Sequence, residues 1–370
     1  MIEELINTKC IKIGKWTLKN GESSKYYYDI KNIISNPNLL KKIGDNIYKM
    51  LDDFDIICGI PYGGLPIAVY ISTTYNKPMI FVRDDTKTYG SKKRIEGEYK
   101  KSDRCVIIDD VITTGKSVEN MITFLKDKVN ITDIAVVFNR QQNFECSIPV
   151  KSLLYKNDII KYRLKKISDH KNSRLCFSAD IENPVKLLNL LNLIGKYIVI
   201  CKIHFDIIKI KDYKGDFQDD LIKSSIDNDF LIMEDRKFVD ISYIVNKQYT
   251  PFINWIDMIT VHGSVTSEVI SKLSGVLLVA NMSNNNYDLT DNAIQLAKEN
   301  PNNVIGFITQ RRIELDDLIC MTPGISYKKS QIDDQNYRDI KEINTDYIIV
   351  GRALYNSTNI EEDVKKFLKI

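Results

Sequence analysis

The feature that most constrains the fold is a series of eight short apolar runs in the second half of the chain. Continuous apolar runs are typical of strands that are buried on both faces of a parallel sheet. Segments of helical length separate them, and eight strand–helix units predict a closed (β/α)8 barrel over residues 174–370. The runs lie at residues 174–181, 197–207, 229–238, 258–264, 275–283, 303–310, 318–325 and 347–355.

The first half of the chain also alternates strands with helices. Apolar runs at 55–61, 77–83, 104–111 and 133–140 predict buried strands, and the spacing of apolar residues predicts a helix over 117–128. Asn36 followed by Pro37 predicts another helix start, because Asn is a favoured N-cap and Pro a favoured first helical residue.

This pattern predicts two α/β domains. Residues 1–155 form the first, around a parallel sheet, and residues 174–370 form the barrel. The segment 156–173 between them is rich in Lys and Arg, which predicts a domain junction in the form of a solvated basic helix.

Composition excludes several classes of protein. The 370 residues carry 52 Lys and Arg against 49 Asp and Glu, a balance that does not favour a nucleic-acid coat. The sequence has no apolar stretch of about 18 residues and no secretory signal at its start, so neither a membrane span nor export is predicted. The seven cysteines form no C-x-x-C pair and the three histidines no H-x-x-x-H pattern. Reduced thiols in a cytoplasmic protein, and no structural zinc site or resident metal held by these residues, are expected.

One motif of the first half has the features of a phosphate-binding loop. VIIDDVITTGKS (106–117) is an apolar strand, two acids and a small-residue loop that opens a helix. Such a loop presents backbone N–H groups and hydroxyls to a phosphate. Asp109 and Asp110 are suited to accept hydrogen bonds from ribose hydroxyls or to hold a metal–sugar complex. An ordinary buried strand before a Thr-capped helix would look the same.

The motif resembles the phosphoribosyltransferase signature, and four further segments resemble the orotate phosphoribosyltransferase family. The resemblance implies a type I phosphoribosyltransferase sheet, a homodimer with shared active sites, and Mg²⁺ accompanying 5-phosphoribosyl diphosphate. The four segments are WTLKNGESSKYYYD (16–29), GIPYGGLPIA (59–68), RDDTKTYGSKKRIEG (83–97) and NRQQ (139–142).

The same resemblance implies which residues bind the two substrates. For 5-phosphoribosyl diphosphate they are Arg83, Lys87 (also catalytic), Tyr89, Asp109, Asp110, Thr113, Thr114, Gly115, Lys116 and Ser117. For orotate they are Lys19, Tyr27, Tyr28, Thr113 and Arg140. Two positions depart from the family pattern, because Asp84 and Gly63 stand where many relatives carry a lysine.

The second half carries an alternating set of charges. Asp235 and Lys237 are two residues apart on a predicted strand, as are Lys202 and His204, so each pair points to one face. Together with Asp240, the residues Lys202, Asp235 and Lys237 are predicted to form an alternating Lys–Asp–Lys–Asp set at one mouth of the barrel. Interior charges are costly unless they are paired, so a structural ion-pair network is one interpretation. The other is a site that repels a substrate carboxylate and protonates the carbanion left when CO₂ departs.

This set resembles the active site of the orotidine 5′-monophosphate (OMP) decarboxylase family, and the resemblance extends over the whole barrel. It implies that Lys237 donates a proton to the pyrimidine ring, that Asp235 presses on the leaving carboxylate, and that Asp240 comes from the partner subunit of a homodimer. It implies no cofactor for this step. The implied nucleotide-binding residues are Asp180, Lys202, Ser283, Gln335, Tyr337, Gly351 and Arg352.

In its order of transferase then decarboxylase, the chain resembles the bifunctional UMP synthase family. The resemblance implies that orotate becomes OMP and that OMP becomes UMP and CO₂. Three alternatives stay open: a related sugar-phosphate decarboxylase or synthase barrel, an active decarboxylase with a decayed transferase, and a non-catalytic nucleotide-sensing module. Neither a nucleic-acid nor a membrane partner is predicted.

Overall fold

The computed structural model describes residues 1–83, 94–140, 144, 146–282, 288–315, 317–326, 330–332 and 335–368. They fall into two compact units. The first comprises Met1–Lys12 and Tyr27–Asp158, and the second comprises Ile13–Tyr26 and Ile159–Ile370. No helix within these ranges is long and apolar enough to cross a membrane.

The first half of the chain contains a six-stranded sheet in the order β5-β4-β3-β6-β7-β8, and β1 pairs with β2 in a separate two-stranded sheet. The strands are β1 (Ile11–Thr17), β2 (Ser23–Tyr28), β3 (Ile56–Gly59), β4 (Met79–Val82), β5 (Ile95–Glu96), β6 (Arg104–Ile112), β7 (Asn130–Asn139) and β8 (Val150–Tyr155). The helices are α1 (Ile2–Asn7), α2 (Pro37–Met50), α3 (Gly64–Tyr75), α4 (Lys116–Leu125) and α5 (Lys156–Lys171), with a 3-10 helix at Ile30–Ser35.

The sheet confirms the prediction of a parallel α/β arrangement. Every pair in it is parallel except β4 with β5. The four predicted strands are β3, β4, β6 and β7, and α4 is the predicted helix. At the start of α2 the Asn36 side chain accepts a hydrogen bond from the N–H of Leu39, and Pro37 follows in the first turn. Local capping chemistry therefore fixes this helix start.

The second unit is built around a closed barrel of eight parallel strands in the order β9-β10-β11-β12-β13-β14-β15-β19, which closes because β19 pairs with β9. Each predicted run contains one barrel strand. The strands of this half are β9 (Leu175–Ala179), β10 (Ile200–Ile203), β11 (Leu231–Phe238), β12 (Met258–His262), β13 (Val276–Val279), β14 (Val304–Ile308), β15 (Ile319–Thr322), β16 (Ile325–Ser326), β17 (Ser330–Ile332), β18 (Gln335–Asp339) and β19 (Tyr347–Val350).

Between the seventh and eighth barrel strands, the chain forms a small sheet of three strands in the order β16-β18-β17, which the sequence did not predict. Helices follow each of β9 to β13 and also follow β19, whereas the described residues between β14 and β15 form no helix. The helices are α6 (Pro184–Ile194), α7 (Phe217–Asp227), α8 (Ser242–Tyr249), α9 (Ser267–Ser271), α10 (Thr290–Glu299), α11 (Arg352–Tyr355) and α12 (Ile360–Lys366), with 3-10 helices at Gly195–Tyr197, Phe205–Ile207, Ile210–Asp212, Thr250–Phe252 and Ile340–Glu342.

The predicted linker, residues 156–173, differs from the expectation of a solvated helix. Helix α5 buries Ile160, Leu164 and Ile167 in an apolar cluster with barrel residues such as Met233. Its Arg163 is buried too, so the interpretation of this basic run as wholly solvated is wrong at that position. A period of three to four residues puts these side chains on one face of the helix.

Residues 13–26 also group differently from the predicted boundary, because they belong to the second unit. Lys25 is completely buried and donates from Nζ to Asp257 Oδ2 at 2.6 Å and to the carbonyl of Phe230 at 3.2 Å. The Tyr26 hydroxyl donates to Asp257 Oδ1 and accepts from Arg163 Nη1 at 3.1 Å. A buried ionic network therefore holds the segment 13–26, which contains the β1–β2 hairpin turn, against the barrel.

Candidate active sites

The carboxyl ends of the barrel strands enclose a cavity of about 380 Å³. Active sites of barrels of this kind form at this end, where the loops leave the strands. Polar and charged side chains from several strands converge on the cavity. They are Ser178, Asp180, Lys202, His204, Asp235, Lys237, Asn281, Tyr337 and Arg352.

Five of these side chains form one charged cluster, which consists of Asp180, Lys202, His204, Asp235 and Lys237. Asp235 is at its centre. Lys202 Nζ contacts Asp235 Oδ2, and His204 Nε2 lies 3.3 Å from the same oxygen. Lys237 Nζ lies 3.0 Å from the other oxygen, Oδ1. The i, i+2 spacing thus brings Asp235 and Lys237 to the lumen together.

Mutual pairing keeps the buried members of the charged cluster ionised. Burial by itself raises the pKa of Asp235, but Lys202, His204 and Lys237 outweigh it and hold that pKa well below its usual value. Burial lowers the pKa of Lys202, whereas Asp235 and Asp180 raise it to a net value above the usual one. Ionised Asp235 next to an ammonium group is therefore the form present near neutral pH.

Asp180 and His204 extend the charged cluster toward the rim. Asp180 Oδ1 lies 3.8 Å from Lys202 Nζ and 3.7 Å from His204 Nε2, and it accepts a hydrogen bond from Ser178 at 3.0 Å. Neither His204 nor Ser178 is among the residues predicted for the site. The spacing of two residues between Lys202 and His204 was the available signal for the histidine.

Most of the other predicted nucleotide-binding residues lie at the same cavity. Tyr337, Gly351 and Arg352 line the cavity. Ser283 and the side chain of Gln335 lie outside the described residues.

Asp240 is separate from the other members of the predicted set. It is exposed, two residues beyond the end of β11, and it is not among the residues that line the cavity. Three exposed apolar side chains surround it in the sequence: Val239, Ile241 and Tyr243 are 59%, 67% and 66% exposed. Within one chain, therefore, the structure does not bring Asp240 to Lys202, Asp235 and Lys237.

In the first unit, the predicted phosphate loop encloses a small pocket between β6 and α4. Asp109, Thr113, Thr114, Gly115, Lys116 and Ser117 line it. Gly115 has φ +78, and a Cβ at this position would lie 1.8 Å from the ring of Phe144. Only glycine fits there, which lets the loop turn tightly into the helix.

Two adjacent acids, Asp109 and Asp110, lie in the last four residues of β6. Burial, together with neighbouring Asp110, raises the pKa of Asp109 well above its usual value. Within the described ranges, neither acid has a basic side chain at ion-pair distance. A Cβ on Gly63 would lie 2.1 Å from Asp110 Cγ. A side chain at position 63 would therefore require the Asp110 carboxylate to move.

Three of the predicted orotate-binding residues lie together. The ring of Tyr28 stacks on Phe138 with centroids 4.5 Å apart, and the Arg140 guanidinium lies 5.1 Å from the centre of the Tyr28 ring. The N–H of Arg140 donates to the carbonyl of Ile112, the residue before Thr113. Tyr28, Thr113 and Arg140 therefore share one corner at the end of β6 and β7.

The other predicted transferase residues have the following surroundings or lie outside the described part. Tyr27 is exposed, with Lys12 Nζ 5.3 Å from its ring centre, and Lys19 is exposed in the turn between β1 and β2. Arg83 forms an ion pair with Glu96 at 3.1 Å. Asp84, Lys87 and Tyr89 fall in the range 84–93, which the structure does not describe.

Comparisons with known proteins match both halves. Residues 173–367 match the model of the orotidine 5′-phosphate decarboxylase / HUMPS family, and residues 29–160 match that of the phosphoribosyl transferase domain. The whole chain is 28% identical to uridine 5′-monophosphate synthase of Bos taurus and covers 95% of it.

Single-function relatives match each half separately. Orotate phosphoribosyltransferase of Methanocaldococcus jannaschii is 39% identical over 38% of this chain and 81% of that protein. Orotidine 5′-phosphate decarboxylase of Pichia kudriavzevii is 36% identical over 52% of this chain and 84% of that protein. The chain therefore belongs to the orotidine 5′-phosphate decarboxylase / HUMPS family and carries a phosphoribosyl transferase domain N-terminal to its decarboxylase barrel.

Proposed function

We propose that this chain makes UMP from orotate in two consecutive reactions. The first half joins orotate to 5-phosphoribosyl diphosphate, giving OMP and diphosphate, and the barrel converts OMP into UMP and CO₂. The observation that carries the proposal is the ionised Asp235 held between two lysines in the barrel cavity. The similarity to uridine 5′-monophosphate synthases over the whole chain supports both activities.

The charged cluster favours loss of CO₂ by raising the energy of the bound substrate. Asp235 stays ionised, so a substrate carboxylate held about 4 Å away is repelled by roughly 4 kcal/mol at an effective dielectric constant of ~20. When the carbon–carboxylate bond breaks, its electron pair and the negative charge stay on the ring carbon, and neutral CO₂ departs from beside Asp235, which relieves the repulsion. The ammonium of Lys237 stabilises the carbanion and gives it a proton, and solvent reprotonates the lysine. The step therefore requires no cofactor.

Contacts of the substrate ribose and phosphate at the cavity rim would supply binding energy that offsets the repulsion between Asp235 and the substrate carboxylate. Asp180 and Lys202 would hold the ribose, Ser283 would meet the pyrimidine edge, and the phosphate would contact a separate group of residues. A bidentate arginine suits a phosphate dianion, and remote binding energy can offset strain at the reacting centre. The phosphate group consists of Gln335, Tyr337, Gly351 and Arg352.

A homodimer would complete the decarboxylase site. Asp240 does not line the cavity of its own chain, and its neighbours in the sequence, Val239, Ile241 and Tyr243, are exposed apolar residues. Exposed apolar residues that cluster are typical of a surface that binds another protein. We therefore propose that this segment packs on a second copy and that Asp240 enters the partner's cavity.

The transferase reaction depends on positioning and on charge. Displacement of diphosphate at the sugar carbon passes through an oxocarbenium-like state, which anionic groups stabilise. We propose that Asp109, Asp110 and the loop 113–117 hold the phosphoribosyl group, and that Arg83, Lys87 and Tyr89 hold the diphosphate. Orotate would lie against Tyr28, Thr113 and Arg140, with Lys19 and Tyr27 also contributing.

We propose that Mg²⁺ takes part in this first step. Magnesium is bound in proteins through one or two carboxylates together with substrate phosphates, and the adjacent carboxylates of Asp109 and Asp110 fit that donor set. Bound there, it would neutralise the charge of the leaving diphosphate. We also propose that the two activities divide at residues 156–173, with the transferase in 1–155 and the decarboxylase in 174–370.

The proposal is tested by mixing the pure protein with orotate, 5-phosphoribosyl diphosphate and Mg²⁺, and separating the nucleotides by chromatography. Formation of UMP is the expected result. A second reaction supplies OMP directly. If OMP is decarboxylated while orotate is untouched, the transferase half of the proposal is wrong. If OMP is stable, the decarboxylase half is wrong.

A further inference from the structure

Thr260 is a buried threonine next to the charged cluster of the barrel. It lies on β12, is 1% exposed, and is not among the described residues that line the cavity. Its Oγ1 donates to Asp235 Oδ1 at 2.8 Å and accepts from the backbone N–H of Lys237 at 2.9 Å. A hydroxyl has one proton to donate, so it donates to the Asp235 carboxylate and accepts from the Lys237 amide through a lone pair.

The backbone N–H of Lys237 lies at an irregular point of strand β11, where a regular strand partner is lost. The pairing of β11 with β12 shifts register between Glu234 and Phe238, and Lys237 has φ +51. Residues with side chains seldom adopt this left-handed conformation, because Cβ approaches a carbonyl oxygen. A bulged residue also loses its regular ladder partner. The Thr260 hydroxyl accepts the freed N–H and so holds the backbone from which the Lys237 side chain extends.

The same hydroxyl constrains the orientation of the Asp235 carboxylate. Oδ1 accepts a hydrogen bond from the Thr260 hydroxyl and lies 3.0 Å from Lys237 Nζ, while Oδ2 faces Lys202 and His204. Rotation of the carboxylate would break the contact with Thr260. The Thr260 side chain thus constrains both the plane of the Asp235 carboxylate and the backbone position of Lys237.

We infer that Thr260 is a positioning residue for decarboxylation that acts through Asp235 and Lys237. The inference rests on the proposed function of the barrel. Misplacement of groups that act in the transition state lowers kcat, whereas substrate binding at the rim, and with it KM, is nearly preserved. A threonine that only filled the core would change stability and leave kcat unchanged.

The test compares Thr260→Val, which replaces the hydroxyl by a methyl group of similar size, with Thr260→Ser, which keeps the hydroxyl. Thr322→Val is the matched control. Thr322 is also a buried threonine on a barrel strand, its hydroxyl is 2.7 Å from that of Thr345, and it does not line the cavity. Steady-state kinetics are measured on supplied OMP with full-length proteins, and the orotate reaction of each preparation serves as a second activity.

We expect kcat of Thr260→Val to fall about 100-fold, the upper end of effects seen when a supporting hydrogen bond is removed. KM is expected to stay within about threefold. Thr260→Ser should recover most of the rate, and Thr322→Val should decarboxylate OMP like the wild type.

Wild-type kcat in Thr260→Val, or a serine variant as slow as the valine variant, would overturn the inference. If the valine variant does not fold, Thr260→Ala replaces it with the same expected loss of kcat. A wild-type chain that leaves OMP intact overturns the proposed function instead, which distinguishes that failure from failure of the positioning role.

Discussion

The barrel site and the transferase loop hold their acidic groups in opposite ways. In the barrel, Asp235 is surrounded by Lys202, His204 and Lys237, and its pKa is held low. In the transferase loop, Asp109 is buried beside another acid and its pKa is raised. The barrel therefore brings its own positive charge, whereas the acidic pair of the transferase is suited to hydroxyls or a cation that arrive with the substrate.

This difference follows from what each reaction requires. Decarboxylation leaves a negative charge on the ring, so a cation must already be in place where that charge develops. Phosphoribosyl transfer develops positive charge on the sugar, which unpaired carboxylates favour. Four variants test whether the two halves differ in this way.

Removal of Lys237 is expected to have the largest effect, and only on the second reaction. Lys237→Ala takes away both the cation next to Asp235 and the proposed proton donor, so decarboxylation should slow by ~10⁴-fold or more. OMP should then accumulate from orotate, while the transferase rate is unchanged. Chromatography of the nucleotides measures both steps.

Arg236→Ala is the matched control for Lys237, because Arg236 is the preceding residue and pairs with Asp206 instead of Asp235. This variant should form UMP at the wild-type rate. Unhindered flow to UMP in Lys237→Ala would refute the proton-donor role.

The barrel also contains an acid whose pKa is raised by burial, Glu234, and Glu234→Gln tests its effect on stability. Glu234 is fully buried, and its Oε2 accepts from the N–H of Phe205 at 3.0 Å, while Oε1 has no partner among the described residues. Burial raises its pKa to about 8, although the Phe205 N–H opposes the shift.

The sign of the pH effect follows from this raised pKa. Between the ordinary pKa of 4.5 and about 8 the folded state holds a proton that the unfolded state releases. The wild type should therefore lose stability as pH rises through this interval, by at most about 5 kcal/mol, relative to Glu234→Gln. Both tryptophans, Trp16 and Trp255, belong to the second unit, so their fluorescence during urea unfolding at pH 5, 7 and 9 follows that unit. The same difference between the two proteins at every pH would contradict the expectation.

Lys25→Met tests whether charge pairing in the second unit extends beyond its active site. The change leaves Asp257 buried without its ammonium partner, and breaking a buried pair in this way costs about 3–5 kcal/mol. Lys15→Met on the same hairpin breaks an exposed pair with Asp219 and should cost less than about 1 kcal/mol. Urea unfolding followed by tryptophan fluorescence compares them. Equal losses of stability would mean that the buried network does not hold the hairpin.

The smallest effect is expected at Gly63. Gly63→Ala places a methyl group where the Asp110 carboxylate lies, so that the acid must move. We expect the transferase to slow about 10-fold, as for a modest misplacement of a binding group, with decarboxylation of supplied OMP unchanged. Val69→Ala, an exposed change on the following helix α3, is the control. An unaltered orotate reaction in Gly63→Ala would show that the position of Asp110 is not critical.

Strand positions and chemistry-bearing motifs were predictable because they are local. Eight apolar runs predicted eight barrel strands, and the spacing of Asp235 and Lys237 placed both on one face of a strand. The start of α2 followed from Asn36 and Pro37 alone. In each case the information lies within a few neighbouring residues, where backbone geometry dictates direction.

Contacts between distant segments were not predictable. The sequence placed 13–26 with the transferase and 156–173 in a linker, but Lys25 pairs with a residue 232 positions away and α5 packs in the apolar cluster of the barrel. The three-stranded sheet before β19 was missed for a different reason, because its strands are short and have no apolar run.

The sequence by itself determined the kind of each domain and the residue types of both reactions, because periodicity and motif chemistry are encoded over short stretches. Only the tertiary structure decided which polar groups support them. The pairing of β11 with β12 brings Thr260 to Lys237, packing of residues 13–26 on the barrel brings Lys25 to Asp257, and burial leaves Glu234 Oε1 without a hydrogen-bond partner among the described residues. Such pairings depend on the register between strands, and register is set by the packing of the whole sheet.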